Sequence, residues 1–136
     1  MRVVLDTNVY VSAFLSPGGN GDQALRAAID GRYTLLGSAP IFGELARVLH
    51  EKLRWSRQDA LDAVSFAAKA AVVVAPERSV SVLAHEPDNR ILECAESGAA
   101  ELIVTGDHHL LDLGSYGRAR IVRLTAFAAR LSEAGS

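Results

Sequence analysis

Residues 2–8 read RVVLDTN, a short apolar run that ends abruptly in polar residues. A nearly continuous aliphatic run of this length is typical of a strand covered on both faces, as in a parallel sheet. Similar runs lie at residues 33–37 (YTLLG), 72–74 (VVV) and 102–105 (LIVT), and a weaker one lies at residues 121–122. These runs predict a parallel sheet of about five strands.

Segments with a helical pattern alternate with these runs, and several have clear start or stop residues. Ser38 precedes a helix with Pro40 in its first turn, Ser56 and Asp59 suggest a capping box, and Gly98 is expected to end a helix. The predicted helical segments are residues 22–29, 38 to about 53, 56–71, about 88–96, a short turn around 110–111, and 126–131. The alternation predicts an α/β fold, a three-layer α/β/α sandwich.

Length and composition limit the class of protein. The chain has 136 residues, is 49% hydrophobic and carries a formal net charge of −2. These values predict one compact domain over residues 1–136 and argue against a protein that coats nucleic acid non-specifically. The single Cys94 cannot form an internal disulfide, and no apolar run approaches the roughly 20 residues that a membrane span requires. We therefore expect a cytoplasmic protein without a membrane association.

Four acidic residues stand where the predicted elements would form a ligand site. Asp6 and Asp107 follow two of the strands, at the carboxyl edge where parallel sheets bind ligands. Glu44 lies early in one helix, and Asp88 lies at the start of another. Because two strand-terminal carboxylates repel each other, keeping both ionised favours a shared cation or a basic neighbour.

Each of these acids has a purely structural explanation when it is considered alone. An Asp before a helix commonly caps it, and a Glu in the first turns interacts favourably with the helix N-terminus. The residues expected to support the carboxylates by hydrogen bonding, or else only to form turns, are Thr7, Asn8 and Thr105. The site hypothesis therefore depends on the acids occurring together.

The acidic motifs occur in a fixed order that fills the chain. They are VVLDTNV at residues 3–9, EL and VL at 44–45 and 48–49, DNRILECA at 88–95, and TGD and LL at 105–107 and 110–111. In order and spacing they resemble the PIN-domain nucleases, most closely the small bacterial toxin-like members of the VapC type. This resemblance implies a Mg²⁺- or Mn²⁺-dependent endoribonuclease whose site is formed by Asp6, Glu44, Asp88 and Asp107. It also implies an RNA substrate, an antitoxin protein as partner, and a homodimer.

The residue types agree with that implication. Hard carboxylate oxygens without Cys or ordered His ligands suit Mg²⁺ or Mn²⁺ better than Zn²⁺, and the adjacent His108 and His109 are not expected to be ligands. RNA contact needs positive charge, for which Arg90 and Arg54 are the candidates, although a solvated helix surface also explains such residues.

Functions of other classes remain as alternatives. A catalytically silent RNA- or protein-binding domain of the same fold would predict decay of the acidic set, whereas all four acids are present. A haloacid-dehalogenase-type phosphatase needs a second Asp two positions after the first, where Asn8 stands. A phospho-receiver domain needs a lysine near the last strand, where the chain has only arginines.

Overall fold

The sheet has six strands in residues 1–134, the part of the chain that this computed structural model describes. They are β1 (Arg2–Leu5), β2 (Thr34–Gly37), β3 (Ala71–Val73), β4 (Leu102–Val104), β5 (Ser115–Tyr116) and β6 (Ala119–Val122). Their order is β3-β2-β1-β4-β6-β5, and every neighbouring pair is parallel except the antiparallel pair β5 and β6. Helices flank the sheet, so the predicted α/β fold with a mostly parallel sheet is confirmed. Residues 135 and 136, with which the predicted domain ends, lie outside the described residues.

The helices begin largely where the sequence predicts. They are α1 (Thr7–Leu15), α2 (Asn20–Ile29), α3 (Ala39–Arg47), α4 (Arg57–Ala70), α5 (Glu86–Ser97), α6 (His108–Leu113) and α7 (Leu124–Ala134), and a π-helical stretch, Val48–Lys52, continues α3. The hydroxyl oxygens of Ser38 and Ser56 accept hydrogen bonds from the first turns of α3 and α4, and Gly98 follows the last residue of α5. These capping groups satisfy backbone donors that a helix end otherwise leaves unpaired.

The two central strands are buried on both faces. The side chains of β4 are at most 3% exposed, and Val3, Val4 and Leu5 of β1 are at most 1% exposed. At the edge strand β3, by contrast, Val72 and Val73 are 51% and 58% exposed. Burial of the central strands fixes the sheet firmly there, so polar residues that follow β1 and β4 are held at a rigid edge.

The strand order reverses direction between β1 and β4. From β1 the chain continues to β2 and β3 on one side, and then crosses to β4 and β6 on the other side. Open α/β sheets bind ligands in the crevice that such a reversal leaves at the carboxyl edge. The register pairs Leu5 with Val104, which makes Asp6 and Thr105 neighbours at this point.

Helix α1 has no counterpart among the predicted elements. Thr7 and Asn8, expected to support the carboxylates or else only to form a turn, are its first two residues. The helix is apolar on several sides, with Val9, Tyr10 and Ala13 buried, and it is rich in the β-branched and aromatic residues that favour strands. Tertiary packing therefore overrides local preference in this segment.

Several predicted boundaries are also wrong. Helix α5 begins at Glu86 and has His85 at its N-cap position, so Asp88 lies in the first turn and does not cap the helix. The third strand lies one residue earlier than predicted, at Ala71–Val73. Strand β5 was not predicted, because two residues beside a turn at Gly117 give no readable pattern.

Candidate active site

The carboxylate of Asp6 is held across the two central strands. The hydroxyl of Thr105 donates a hydrogen bond of 2.7 Å to Asp6 Oδ2, and the Asp6 backbone N–H donates to Val104 O at 2.9 Å. Asp6 occupies the N-cap position of α1, yet its side chain forms no capping hydrogen bond. Its orientation is therefore set by β4, and simple helix capping does not explain it.

Thr105 connects this carboxylate to Asp107. Its Oγ1 accepts a hydrogen bond of 2.9 Å from the Asp107 backbone N–H, so one hydroxyl joins both acidic positions. Asp107 does cap its helix, because its Oδ1 accepts from the His109 backbone N–H at 2.8 Å. The capping explanation therefore holds for Asp107 and fails for Asp6.

Asp88 approaches from the first turn of α5 and is 4% exposed. Its Oδ2 lies 3.2 Å from Nδ1 of His85. The two groups are not aligned as a hydrogen bond, and this buried oxygen has no hydrogen-bond partner among residues 1–134. A buried carboxylate oxygen without a donor is energetically unfavourable. It is therefore the atom of this site best suited to receive a cation.

Electrostatic coupling shows that the three aspartates share one region. Burial raises the pKa of Asp6 to about 6, against a lowering effect of the Thr105 hydrogen bond, and the negative charges of Asp88 and Asp107 raise it further. Burial and the charge of Asp107 likewise raise the pKa of Asp88, whereas His85 and His109 oppose this change. Perturbed carboxylates at a crevice are typical of functional sites.

Glu44 differs from the three aspartates. Arg47 donates hydrogen bonds to both of its oxygens, at 2.6 Å and 3.1 Å, and these bonds lower the pKa of Glu44. Glu44 lines a pocket of about 180 Å³ together with Thr7 of α1 and Arg90 of α5. Thr7 is the chain neighbour of Asp6, but none of the three aspartates lines this pocket. Glu44 thus lies next to the aspartates, and its charge is already compensated by a basic neighbour on its own helix.

The candidate supporting residues fall into different environments. Thr7 is buried, whereas Asn8 is exposed and its side chain forms no hydrogen bond within residues 1–134. The guanidinium of Arg90 contacts Glu93 at 2.9 Å and Glu86 at 3.4 Å, so the acids of its own helix hold it. Arg54 lines a separate groove with Phe14 and Trp55, to which none of the four candidate acids contributes.

Three basic neighbours of the acids were not assigned to the site from the sequence. They are His85 beside Asp88, His109 near Asp88, and Arg47 bound to Glu44. Two of these contacts have a readable signal, because His85 and Arg47 each stand three residues from their acid, a spacing that brings side chains together on a helix.

The acids do not form a closed metal cage. Within residues 1–134, no three His, Cys, Asp or Glu side chains are arranged to hold one ion together. Mg²⁺, however, usually retains several waters and binds one or two protein carboxylates. Hard oxygen donors and the unpartnered Oδ2 of Asp88 fit such a hydrated divalent cation.

Comparison with known proteins identifies the family. A family model described as PIN domain matches residues 2–109, and the chain therefore belongs to the PIN domain family. This confirms the resemblance found in the acidic motifs. PIN domains are in general nucleases and typically use divalent metal ions, so membership supports a nuclease function in general.

The chain is also similar to individual proteins. The uncharacterized protein MJ1680 of Methanocaldococcus jannaschii is 28% identical over 117 residues, which cover 83% of this chain and 75% of that protein. A solved structure that matches is the crystal structure of VapBC2 from Rickettsia felis, bound to a DNA fragment from the VapBC2 promoter. The TM-score is 0.66 and the sequence identity is 13%, and the match covers 90% of this chain and 98% of that chain. The RRP44 PIN domain of T. brucei matches with a TM-score of 0.50 and 14% identity, covering 98% of this chain and 82% of that chain. At these identities the two structures show a shared fold.

No helix in residues 1–134 is both long enough and apolar enough to cross a bilayer.

Proposed function

We propose that this protein is a Mg²⁺- or Mn²⁺-dependent endoribonuclease that hydrolyses RNA phosphodiester bonds at Asp6, Asp88 and Asp107. The observation that carries the proposal is the convergence of these carboxylates at the reversal of strand order, with one buried oxygen of Asp88 left without a partner. Family membership supports the nuclease class, and the acidic oxygens support a hard divalent cation.

In this proposal each side chain has a distinct task. Asp88 would bind the cation through its unpartnered oxygen, and Asp6 and Asp107 would bind the cation or its waters. Thr105 fixes Asp6 and Asp107 relative to each other through one hydroxyl. A divalent cation bound there supplies positive charge to the phosphodiester in the transition state and makes a water molecule more acidic. Glu44 lines an adjoining pocket with Thr7 and Arg90, from which it would orient waters or support a second cation position.

Positive charge for the RNA is scarce near these acids. Arg90 lines the pocket beside Glu44 and is the better placed of the two predicted arginines, although Glu86 and Glu93 already engage it. Arg54 would contact only RNA that extends to the groove of Phe14 and Trp55. The cation itself therefore supplies most of the charge that a phosphate needs at the cleavage position.

We further propose that the protein is the toxin component of a toxin–antitoxin pair in the cytoplasm and forms a homodimer. The resemblance to VapC-type members and the structural similarity to VapBC2 support this role. An antitoxin would act by covering the acidic crevice.

The test is cleavage of a mixed, end-labelled RNA panel by purified protein with Mn²⁺, Mg²⁺ or EDTA. Asp6→Asn and Asp107→Asn variants, prepared in parallel, control for contaminating nucleases. We expect metal-dependent cleavage by the wild type that both variants lose. Equal cleavage by wild type and variants, or none with either metal, would contradict the proposal and favour a catalytically silent binding domain.

A further inference from the structure

His85 stands beside the one buried acidic oxygen that has no hydrogen-bond partner in the described chain. Its side chain is 61% exposed, and it forms no side-chain capping hydrogen bond although it occupies the N-cap position of α5. The imidazole ring therefore does not cap helix α5. What it does contact is Asp88, with Nδ1 at 3.2 Å from Oδ2.

The chain segment that carries His85 is fixed by the helix that follows it. The buried amide side chain of Asn89 accepts a hydrogen bond of 2.9 Å from the Leu83 N–H and donates one of 2.8 Å to the Leu83 carbonyl. Glu93, further along α5, accepts a hydrogen bond of 2.8 Å from the Val80 N–H. Two buried side chains of α5 thus hold this segment, so the position of His85 relative to Asp88 is built into the fold.

The distance between the two atoms suits joint ligation of one ion. Two ligands at adjacent positions of an octahedral ion, each about 2.1 Å from it, lie about 3.0 Å apart. The observed 3.2 Å is close to that value. Oδ2 has no donor in good hydrogen-bond alignment, so the alternative to joint ligation is an electrostatic attraction between His85 and Asp88 without an ion.

We propose that Nδ1 of His85 and Oδ2 of Asp88 ligate the same divalent cation, so that the site prefers Mn²⁺ to Mg²⁺. Imidazole nitrogen is a good ligand for divalent transition metals, whereas Mg²⁺ strongly prefers oxygen. Waters complete the coordination and connect the ion to Asp6 and Asp107, which agrees with the lack of a three-residue cage in residues 1–134. The inference rests on the proposed function, since it assumes that a cation binds at these acids, and it replaces the expectation that no histidine takes part.

The test is Mn²⁺ bound to the RNA-free protein, measured by calorimetry and by electron spin-echo envelope modulation, which detects a nitrogen atom coordinated to Mn²⁺. The variant is His85→Asn, which should fold because the side chain is exposed and Asn is a favourable N-cap residue. His109→Asn is the matched control, since His109 also lies near Asp88. A circular-dichroism melt of each variant verifies folding.

We expect a nitrogen signal in the wild type and in His109→Asn that disappears in His85→Asn. Mn²⁺ binding to His85→Asn should weaken roughly tenfold, and Mg²⁺ binding should change less than about twofold. A signal that persists in His85→Asn, or that only His109→Asn removes, would overturn the assignment of His85. Tight Mn²⁺ binding without any nitrogen signal would overturn this inference alone, whereas no binding of either metal would overturn the proposed function as well.

Discussion

Asp6 and Glu44 are both acids of the predicted site, yet the fold places them in opposite electrostatic environments. Asp6 is 6% exposed, and burial raises its pKa to about 6. Glu44 is more exposed, and Arg47 lowers its pKa. The charged form of Asp6 is thus disfavoured in the protein without a cation, whereas the charged form of Glu44 is favoured.

This difference separates an acid that needs a cation from one that already has a charged partner. A buried carboxylate among like charges becomes more favourable when a divalent ion binds, because the ion removes both the repulsion and part of the desolvation penalty. An ion-paired glutamate gains less from the same ion. The aspartates are therefore expected to dominate metal binding and activity, and Glu44 to modulate them.

The largest expected effect concerns activity. Asp6→Asn should lower kcat/KM for RNA cleavage on the order of 10³-fold, because it removes a carboxylate charge proposed to hold the cation or its waters while retaining the shape of the side chain. Glu44→Gln should lower it about tenfold at most, since Arg47 already compensates that charge. Single-turnover cleavage with saturating Mn²⁺ measures both. Equal losses of kcat/KM in Asp6→Asn and Glu44→Gln would contradict the proposed difference between the two acids.

The next effect concerns stability without metal. Because the folded-state pKa of Asp6 is raised from 3.8 to about 6, the folded protein binds the Asp6 proton more tightly than the unfolded chain does. The stability that this proton contributes is fully present below pH 3.8 and is lost as the pH rises to about 6. In EDTA at pH 8, Asp6→Asn should therefore be more stable than the wild type, by up to about 3 kcal/mol. The difference should vanish near pH 3.

Urea denaturation of both proteins between pH 3 and pH 8 measures this effect. Adding Mn²⁺ at pH 8 should stabilise the wild type more than the variant and so reduce or reverse the difference. If the variant were less stable than the wild type in EDTA at pH 8, burial of the ionised Asp6 carboxylate would not destabilise the fold, and the prediction would be wrong.

The sequence predicts one part of this comparison better than the other. Asp6 and Asp107 follow buried strands, and a parallel sheet necessarily brings the ends of adjacent strands together, so their proximity can be inferred from the strand pattern. The register that joins Leu5 to Val104, and thus Thr105 to Asp6, follows from the packed sheet and has no local signal.

Side-chain partners on helices were harder to predict. Arg47 and His85 stand at helical spacing from Glu44 and Asp88, but many such pairs on helix surfaces form no contact. Helix α1 was missed because its Val, Tyr and Phe side chains favour strands locally, and packing against helices α2 and α3 outweighs that preference. The fold class was therefore readable from the sequence, whereas the electrostatic difference between Asp6 and Glu44 required the structure.

A smaller effect is expected from the hydroxyl that orders the aspartates. Thr105→Val keeps the side-chain shape but removes the donor to Asp6 and the acceptor for the Asp107 N–H. It should destabilise the protein by about 1–3 kcal/mol and raise the pKa of Asp6 further. Thr105→Ser keeps the hydroxyl and is the control. Urea denaturation and the pH dependence of stability would measure both consequences, and a Thr105→Val protein as stable as the Ser variant would contradict the role of the hydroxyl.

The smallest effect is expected from the ion pair at Glu44. Arg47→Ala should raise the pKa of Glu44 toward its ordinary value, because Arg47 is the main cause of its lowering. Since the lowered pKa stabilises the fold above the ordinary pKa and this stabilisation is lost as the pH falls, the variant should differ from wild type more at pH 7 than at pH 3. The pair is partly exposed, so the melting temperature at pH 7 should fall by no more than about 2 °C. Carbon-detected NMR titration of the Glu44 carboxyl group measures the pKa directly. Arg57→Ala is the control, because Arg57 lines a groove with Arg47 but forms no ion pair with Glu44 in residues 1–134. An unchanged Glu44 pKa in Arg47→Ala would show that Arg47 does not compensate the charge of Glu44, and it would contradict the distinction drawn between Glu44 and Asp6.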